Sequence, residues 1–253
     1  MKLQGRVAIV TGGGGAIGAA CAHLFAREGA RVALVDRDAD AMREVLAAIR
    51  QGGSEALACP GEVADVGTID AHVAAVRAAW GRIDILVTAA GVSCGGTVTT
   101  TQPDDWAQVM RTNVDGTWLW CRAVVPLMQA QRGGAIVTVA SQLAVAGGHR
   151  NSAYIASKGA VIALTRTMAL DYVADGIRVN AVAPGATDTA MLARAFQRAA
   201  DPLAAREGSR KRHPMQRFAR PEEIAEAILY LAGASASFVT GVVLPVDGGW
   251  LAA

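Results

Sequence analysis

The stretch YIASK carries the chain's sharpest chemical signal. Tyr154 and Lys158 stand at i and i+4 in a helical pattern, so both project from one face. An ammonium beside a phenol favours the phenolate and lowers its pKa toward working pH. A tyrosine tuned in this way takes a proton from an alcohol, or gives one to a carbonyl, while hydride moves to or from a nicotinamide. Alone, Tyr-x-x-x-Lys is an ordinary feature of exposed helices. Here Ser141 precedes it by 13 residues, at the end of the apolar run AIVTV. A hydroxyl there can hold a substrate oxygen and its developing charge. A hydrolase nucleophile is excluded, because Ser141 lacks a G-x-S-x-G elbow and His149 is the only histidine near it. Asn113, in RTNVDGTW, falls mid-helix, where asparagine has no propensity advantage. It bends that helix, holds a water for a proton relay, or is a plain surface residue.

A second signal is VAIVTGGGGAIG, residues 7–18. Read from Gly13, it is G-x-G-x-x-G, the general dinucleotide fingerprint. Read from Thr11, it is T-G-x-x-x-A-x-G, with Ala16 where a glycine is expected. In either register, a glycine turn between a strand and a helix lets backbone N–H groups approach a phosphate. A Walker loop is excluded, since no Gly-Lys-Ser/Thr follows. Asp36 ends the next apolar run, 18 residues after Gly18. A carboxylate there accepts from both adenosine ribose hydroxyls and repels a 2′-phosphate, which favours NAD over NADP. Arg37 follows directly and offers the opposing reading, a 2′-phosphate partner. Asp38 or Asp40 fills the helix N-cap role more naturally than Asp36.

These residues need a scaffold, and the apolar pattern supplies one. Strands are predicted at 7–10, 32–35, 56–59, 85–88, 135–139, 178–182 and 242–246. Most lack polar alternation, as parallel strands buried on both faces do. Helical spacing falls between them at roughly 17–28, 66–79, 105–131, 153–173 and 221–232, with a stripe at Met42, Val45, Leu46 and Ile49. This alternation predicts an α/β fold, a doubly wound parallel β-sheet flanked by helices on both faces. Residues 1–253 read as one domain. The segment 186–220 breaks the rhythm, as a substrate-side lid or as a solvated excursion.

With 52% hydrophobic and 18% charged residues, disorder is excluded, and a net charge of +2 gives no bias toward nucleic acid or membrane. Four widely spaced cysteines without C-x-x-C suggest neither a zinc site nor a disulfide framework, but buried thiols in a reducing compartment. The opening apolar run is too short for a signal peptide, and no run is long enough to span a bilayer. A cytoplasmic protein with no metal is expected.

In TGGGGAIG at 11–18, Asp36, AAG at 89–91, Asn113, Ser141, Tyr154-x-x-x-Lys158, Pro184-Gly185 followed by Thr189, and VDGG at 246–249, the sequence resembles the short-chain dehydrogenase/reductase family along essentially its whole length. The resemblance implies a Rossmann-type domain with a catalytic tetrad of Asn113, Ser141, Tyr154 and Lys158. Tyr154 is then the acid/base. Lys158 lowers its pKa and binds the nicotinamide ribose, and Asn113 supports the relay water. It further implies dinucleotide contacts from Gly12, Gly15, Ile17, Gly18, Asp36, Glu62 and Val63. Others come from Ala89, Ala90 and Gly91, and from Pro184, Gly185, Thr187 and Thr189 at the nicotinamide end. Ala16, Thr88 (for an asparagine that braces the sheet) and Glu62 (for an aspartate at the adenine) depart from the family pattern.

Substrate-facing positions on this resemblance are Ser93, Cys94, Ser141, Gln142, Leu143, His149, Arg150, Tyr154 and the lid. The basic run RKRH at 210–213 reads as a solvated lid face or as a holder for an anionic substrate. The leading expectation is an NAD-dependent enzyme interconverting a secondary alcohol and a ketone. The alternatives are an NADPH-linked carbonyl or 3-oxoacyl reductase and a non-catalytic dinucleotide-binding regulator. A small-molecule substrate is expected, with no nucleic acid or membrane partner. Family analogy suggests a homotetramer through two long helices, the first containing Trp118, Leu119 and Trp120, and through the apolar end WLAA.

Overall fold

The five inner apolar runs form strands largely buried on both sides, and the outer two, 56–60 and 243–246, form partly exposed edge strands. A computed structural model describes residues 1–253. The strands are β1 (Val7–Thr11), β2 (Arg31–Asp36), β3 (Ala56–Pro60), β4 (Ile85–Thr88), β5 (Gly134–Val139), β6 (Ile177–Pro184) and β7 (Val243–Val246). They pair in parallel in the order β3-β2-β1-β4-β5-β6-β7. Alternate side chains feed two separate cores. Ala8, Val10, Val32 and Leu34 pack under α1 (Ala16–Arg27), α2 (Ala39–Gln51) and α10 (Pro221–Ala232). Val7, Ile9, Ala33 and Val35 pack under α3 (Val66–Trp80), α5 (Gly116–Gln131) and α7 (Ser152–Tyr172). The stripe Met42, Val45, Leu46 and Ile49 is the buried face of α2, and Asp38 caps that helix by accepting from Ala41 N.

The helix expected over 105–131 is three pieces: α4 (Pro103–Met110), a π-helical turn (Arg111–Asp115) and α5. Three further helices complete the fold: α6 (Leu143–Ala146), α8 (Ala190–Gln197) and α9 (Pro202–Lys211). The last two occupy the strandless segment 186–220. The result is a single-domain Rossmann fold. No helix is long and apolar enough to cross a membrane.

The strand order reverses between β1 and β4, and the crevice at their carboxyl ends is where such sheets hold ligands. Thr88 lies at that end of β4. It stands in place of an asparagine that braces the sheet, and its hydroxyl is buried without a hydrogen-bond partner, so the bracing is altered. Thr88→Val is therefore expected to stabilise the chain by about 1 kcal/mol, seen as a rise of about 2–4 °C in Tm. A fall in Tm would show that the hydroxyl is satisfied.

Candidate active site

The crevice is one cavity of about 460 Å³, running from the glycine turn to the lid. At its floor, Gly12 adopts φ +69°, and a Cβ there would lie 2.7 Å from Ala90 N. A Cβ on Gly18 would strike the Gly12 carbonyl, so glycine at both positions lets α1 come down onto the turn. Helix α1 starts at Ala16 from Gly15, and no side chain caps it. Gly15, Ala16, Ile17 and Gly18 line the cavity, so the positive end of α1 is presented to it. Gly13 and Gly14 are constrained by packing. Their Cβ atoms would lie 2.9 Å from Leu34 Cδ2 and 3.0 Å from Ala41 Cβ.

Asp36 sits at the rim with both oxygens fixed. Oδ2 accepts from Gly14 N at 3.0 Å and Oδ1 from Asp38 N at 3.0 Å. Beside it, Arg37 pairs with Glu62 at 3.6 Å, and both side chains are 56% exposed. Glu62 and Val63 line this end of the cavity, and Ala89, Ala90 and Gly91 line its middle.

The π-helical turn explains Asn113, which is fully buried. Its Oδ1 accepts from Val92 N at 2.8 Å, while Nδ2 donates to Val92 O at 3.0 Å and Ser157 Oγ at 2.9 Å. These partners lie on other elements and draw the residue out of α-helical register. A Cβ on Gly91 would lie 3.5 Å from Asn113 Oδ1 and 3.4 Å from Lys158 Nζ, so both polar groups face that backbone.

Lys158 is 4% exposed and donates to Val139 O at 2.6 Å. Burial pulls its pKa down to about 8. Its Nζ lies 5.8 Å from the Tyr154 ring centroid. Tyr154 is half-buried as a residue, but its hydroxyl end is set deep among protein atoms. That burial pushes the phenol up, and Ser141 pulls it partly back. The sequence expectation was that Lys158 lowers the phenol; in the structure the opposing group is the Ser141 hydroxyl. Ser141 is 5% exposed, and its Oγ accepts from Leu143 N at 3.2 Å.

Pro184 and Gly185 end β6 at the cavity. Thr187 donates to Gly185 O at 3.1 Å, and Thr189 caps α8 by accepting from Leu192 N at 3.2 Å. Gln142 lines the cavity with its Oε1 buried and unpartnered. Ser93 and Leu143 also line it, whereas Cys94, His149 and Arg150, expected to face substrate, do not. Met191, Arg194, Phe196 and His213 of the expected lid segment do, as do Asn151 and Trp250, whose place there sequence reasoning missed. For Trp250 a signal existed in VDGG: Asp247 accepts from Gly249 N and Leu251 N, and this turn swings Trp250 to the cavity wall. Of RKRH, Arg210 and Lys211 pair with Glu207, while Arg212 and His213 reach the cavity.

Comparison with known proteins agrees with this geometry. A family model described as enoyl-(acyl carrier protein) reductase matches residues 14–251. The D-threitol dehydrogenase of Mycolicibacterium smegmatis is 38% identical over 251 residues, covering 98% of this chain and 94% of that protein. The 3-oxoacyl-(acyl-carrier-protein) reductase of Thermotoga maritima is 37% identical over 256 residues, covering 98% and 99%. The crystal structure of NAD+-bound xylitol dehydrogenase superimposes with a TM-score of 0.95 at 35% identity, covering 98% of this chain and 100% of that one. The chain belongs to the short-chain dehydrogenase/reductase family. It is an enzyme of NAD(P)-dependent hydride transfer. The uncapped end of α1 and the glycine turn on the cavity floor fit a dinucleotide pyrophosphate.

Proposed function

We propose that the chain interconverts a secondary alcohol and a ketone, with NAD as the preferred dinucleotide. The observation that carries this reading is the convergence of Tyr154, Ser141 and Lys158 on one cavity whose rim holds Asp36. The dinucleotide, when bound, supplies or accepts the hydride. Gly12, Gly15, Ile17 and Gly18 hold its pyrophosphate, Asp36 the adenosine ribose, and Glu62 and Val63 the adenine. Ala89, Ala90 and Gly91 flank its middle, while Lys158, Pro184, Gly185, Thr187 and Thr189 hold the nicotinamide end. Ser141 hydrogen-bonds the substrate oxygen. Tyr154 donates a proton to the ketone oxygen, or removes one from the alcohol. Lys158 stabilises the phenolate so formed, and a water between Lys158 and Asn113 passes the proton on. Gln142 supplies a further polar contact to substrate.

The test is absorbance from NADH on mixing the chain with NAD and a panel of secondary alcohols, with NADP in parallel. Faster reduction of NAD is expected. The reading as an NADPH-linked 3-oxoacyl reductase rests on Arg37 and the basic lid, with a Thermotoga maritima relative named for the 3-oxoacyl reaction, and a clear NADP preference would favour it. Arg37 is already matched by Glu62, which weakens it as a 2′-phosphate partner. Replacing both carboxylates (Asp36→Asn with Glu62→Gln) removes the repulsion and frees Arg37. It is expected to shift kcat/KM toward NADP by about 2 kcal/mol, about thirtyfold. An unchanged ratio would remove Asp36 and Glu62 from cofactor selection.

Ketone reduction needs Tyr154 protonated and Lys158 charged. Burial holds the tyrosine proton on, and Lys158 loses its charge above about 8. The kcat/KM for ketone is therefore expected to be level at neutral pH and to fall as pH rises through about 8. A level profile well past that value would mean that the charge on Lys158 is not used.

A homotetramer is supported by apolar side chains left on the surface. Trp118 on α5 and Trp106 on α4 are 48% and 43% exposed, while Trp120 is core. Light scattering measures the assembly. Three buried free cysteines support a reducing, cytoplasmic location.

A further inference from the structure

The lid's cations are sorted. Glu207 pairs with Arg210 at 2.6 Å and Lys211 at 3.6 Å. Glu223 pairs with Arg217 at 2.7 Å and Arg220 at 4.0 Å. Of the three arginines on the cavity wall, Arg37 is matched by Glu62, whereas Arg194 of α8 and Arg212 just after α9, both with exposed side chains, form no salt bridge and donate no side-chain hydrogen bond. The wall's only carboxylates are Asp36 and Glu62, at the far end beside the glycine turn, and Glu62 is matched to Arg37. Around Tyr154 and Ser141 the cavity wall thus mixes apolar side chains, Leu143, Met191 and Phe196, with neutral polar ones, Ser93, Gln142 and Asn151, and carries two cations without a salt-bridge partner.

Arg212 is also held in place. Its guanidinium lies 5.6 Å from the Trp250 ring centroid. Trp250 packs 5.8 Å from His213, which is 3% exposed. The imidazole is fixed at both nitrogens: Nδ1–H donates to Ser209 O at 2.8 Å, and Nε2 accepts from Ala186 N at 3.2 Å. Both ring nitrogens are spent, so His213 serves as a rigid backing for Trp250. A guanidinium restrained on a fixed aromatic wall loses less freedom when it takes up an anion.

We infer that the substrate is a hydroxycarboxylate, its carboxylate received by Arg194 and Arg212 while its carbinol meets Tyr154 and Ser141. This rests on the secondary-alcohol reading above and names the substrate class of that site. The apolar side chains between the two ends cover the carbon chain that joins them. Arginine is suited to this task, because its planar fork binds a carboxylate in two-point fashion.

The probes are 3-hydroxybutyrate, 4-hydroxypentanoate and 5-hydroxyhexanoate, each against its methyl ester. For at least one pair the acid is expected to exceed the ester in kcat/KM by about tenfold or more, with the margin shrinking as salt is added. In the double variant Arg194→Met with Arg212→Met, that ratio is expected to fall toward one, chiefly through KM. NADH affinity, read by fluorescence, is expected to stay within about twofold. Esters used as well as their acids would overturn the inference. So would a double variant that weakens NADH binding instead, since the arginines would then serve the dinucleotide's phosphates. A second readout needs no turnover: calorimetric binding of the matching keto acids to the Tyr154→Phe chain with NADH. Binding lost in the double variant supports the inference, and no binding of any keto acid overturns it. Binding by a wild-type chain that turns over no alcohol would count against the secondary-alcohol chemistry and leave the carboxylate site standing.

Discussion

Tyr154→Phe is expected to lower kcat for alcohol oxidation about a thousandfold, within the range that a positioned acid/base supplies. The substitution removes one oxygen and keeps the ring, so the packing of α7 changes little. Ser157, which donates to the Tyr154 carbonyl, and Asn113, which donates to Ser157, keep their partners. The loss is therefore chemical. The phenol proton is held by burial and eased by Ser141, and no other titratable hydroxyl lines the cavity at that point. Lys158→Met would be a poorer probe, because it also strips the Val139 carbonyl of its 2.6 Å donor. The check is single-turnover kinetics beside thermal melting and NADH titration. Retention of more than about a tenth of the rate would place the proton on another group. A matching loss of NADH binding would show that the ring itself had moved.

Gly18→Ala and Ala16→Gly, two residues apart, are expected to differ by orders of magnitude. A methyl at residue 18 meets backbone, the carbonyl of Gly12 and its carbon at 2.7 Å, so no side chain can swing away. Either α1 lifts off the turn or Gly12 shifts, and Gly12 is itself pinned by Ala90. A cost of about 2–4 kcal/mol in stability is expected. Lifting α1 also withdraws its positive end from the cavity, so NAD affinity should drop about a hundredfold. Residue 16, by contrast, opens the helix and is absent from the positive-φ residues. Ala16→Gly should cost about 0.5–1 kcal/mol in helix propensity and move NAD affinity by less than about twofold. Calorimetric titration with NAD measures both. A large gain in affinity for Ala16→Gly would mean that the methyl crowds the pyrophosphate.

The sheet was legible because its inner strands are buried on both faces, so β1 and β2 read as unbroken apolar runs. The buried face of α2 was legible because one stripe at helical spacing is decided within a single helix. Contacts between distant parts of the chain were not. Asn113 sits in a π turn because it bonds to residues 21 and 44 positions away, and no local pattern carries that. Within the glycine tract nothing marks Gly13 and Gly14 as packed, because their constraints, Leu34 and Ala41, lie on the next strand and helix. RKRH split because Glu207, one turn earlier, claimed Arg210 and Lys211 and left Arg212 and His213 to the cavity. His213 looked like part of a charge run, yet it is buried between Ser209 and Ala186. That the Thr88 hydroxyl finds no partner at the end of β4 is likewise invisible in the local sequence.

The most direct test of the proposed chemistry follows one atom. A secondary alcohol deuterated at its carbinol carbon is oxidised by the chain in ordinary water with NAD, and the products are examined by mass spectrometry. The expected result is deuterium in the reduced dinucleotide and none in the solvent, with the label's transfer abolished by Tyr154→Phe. Deuterium released to water, or transfer that persists at full rate in the variant, would contradict hydride transfer governed by Tyr154.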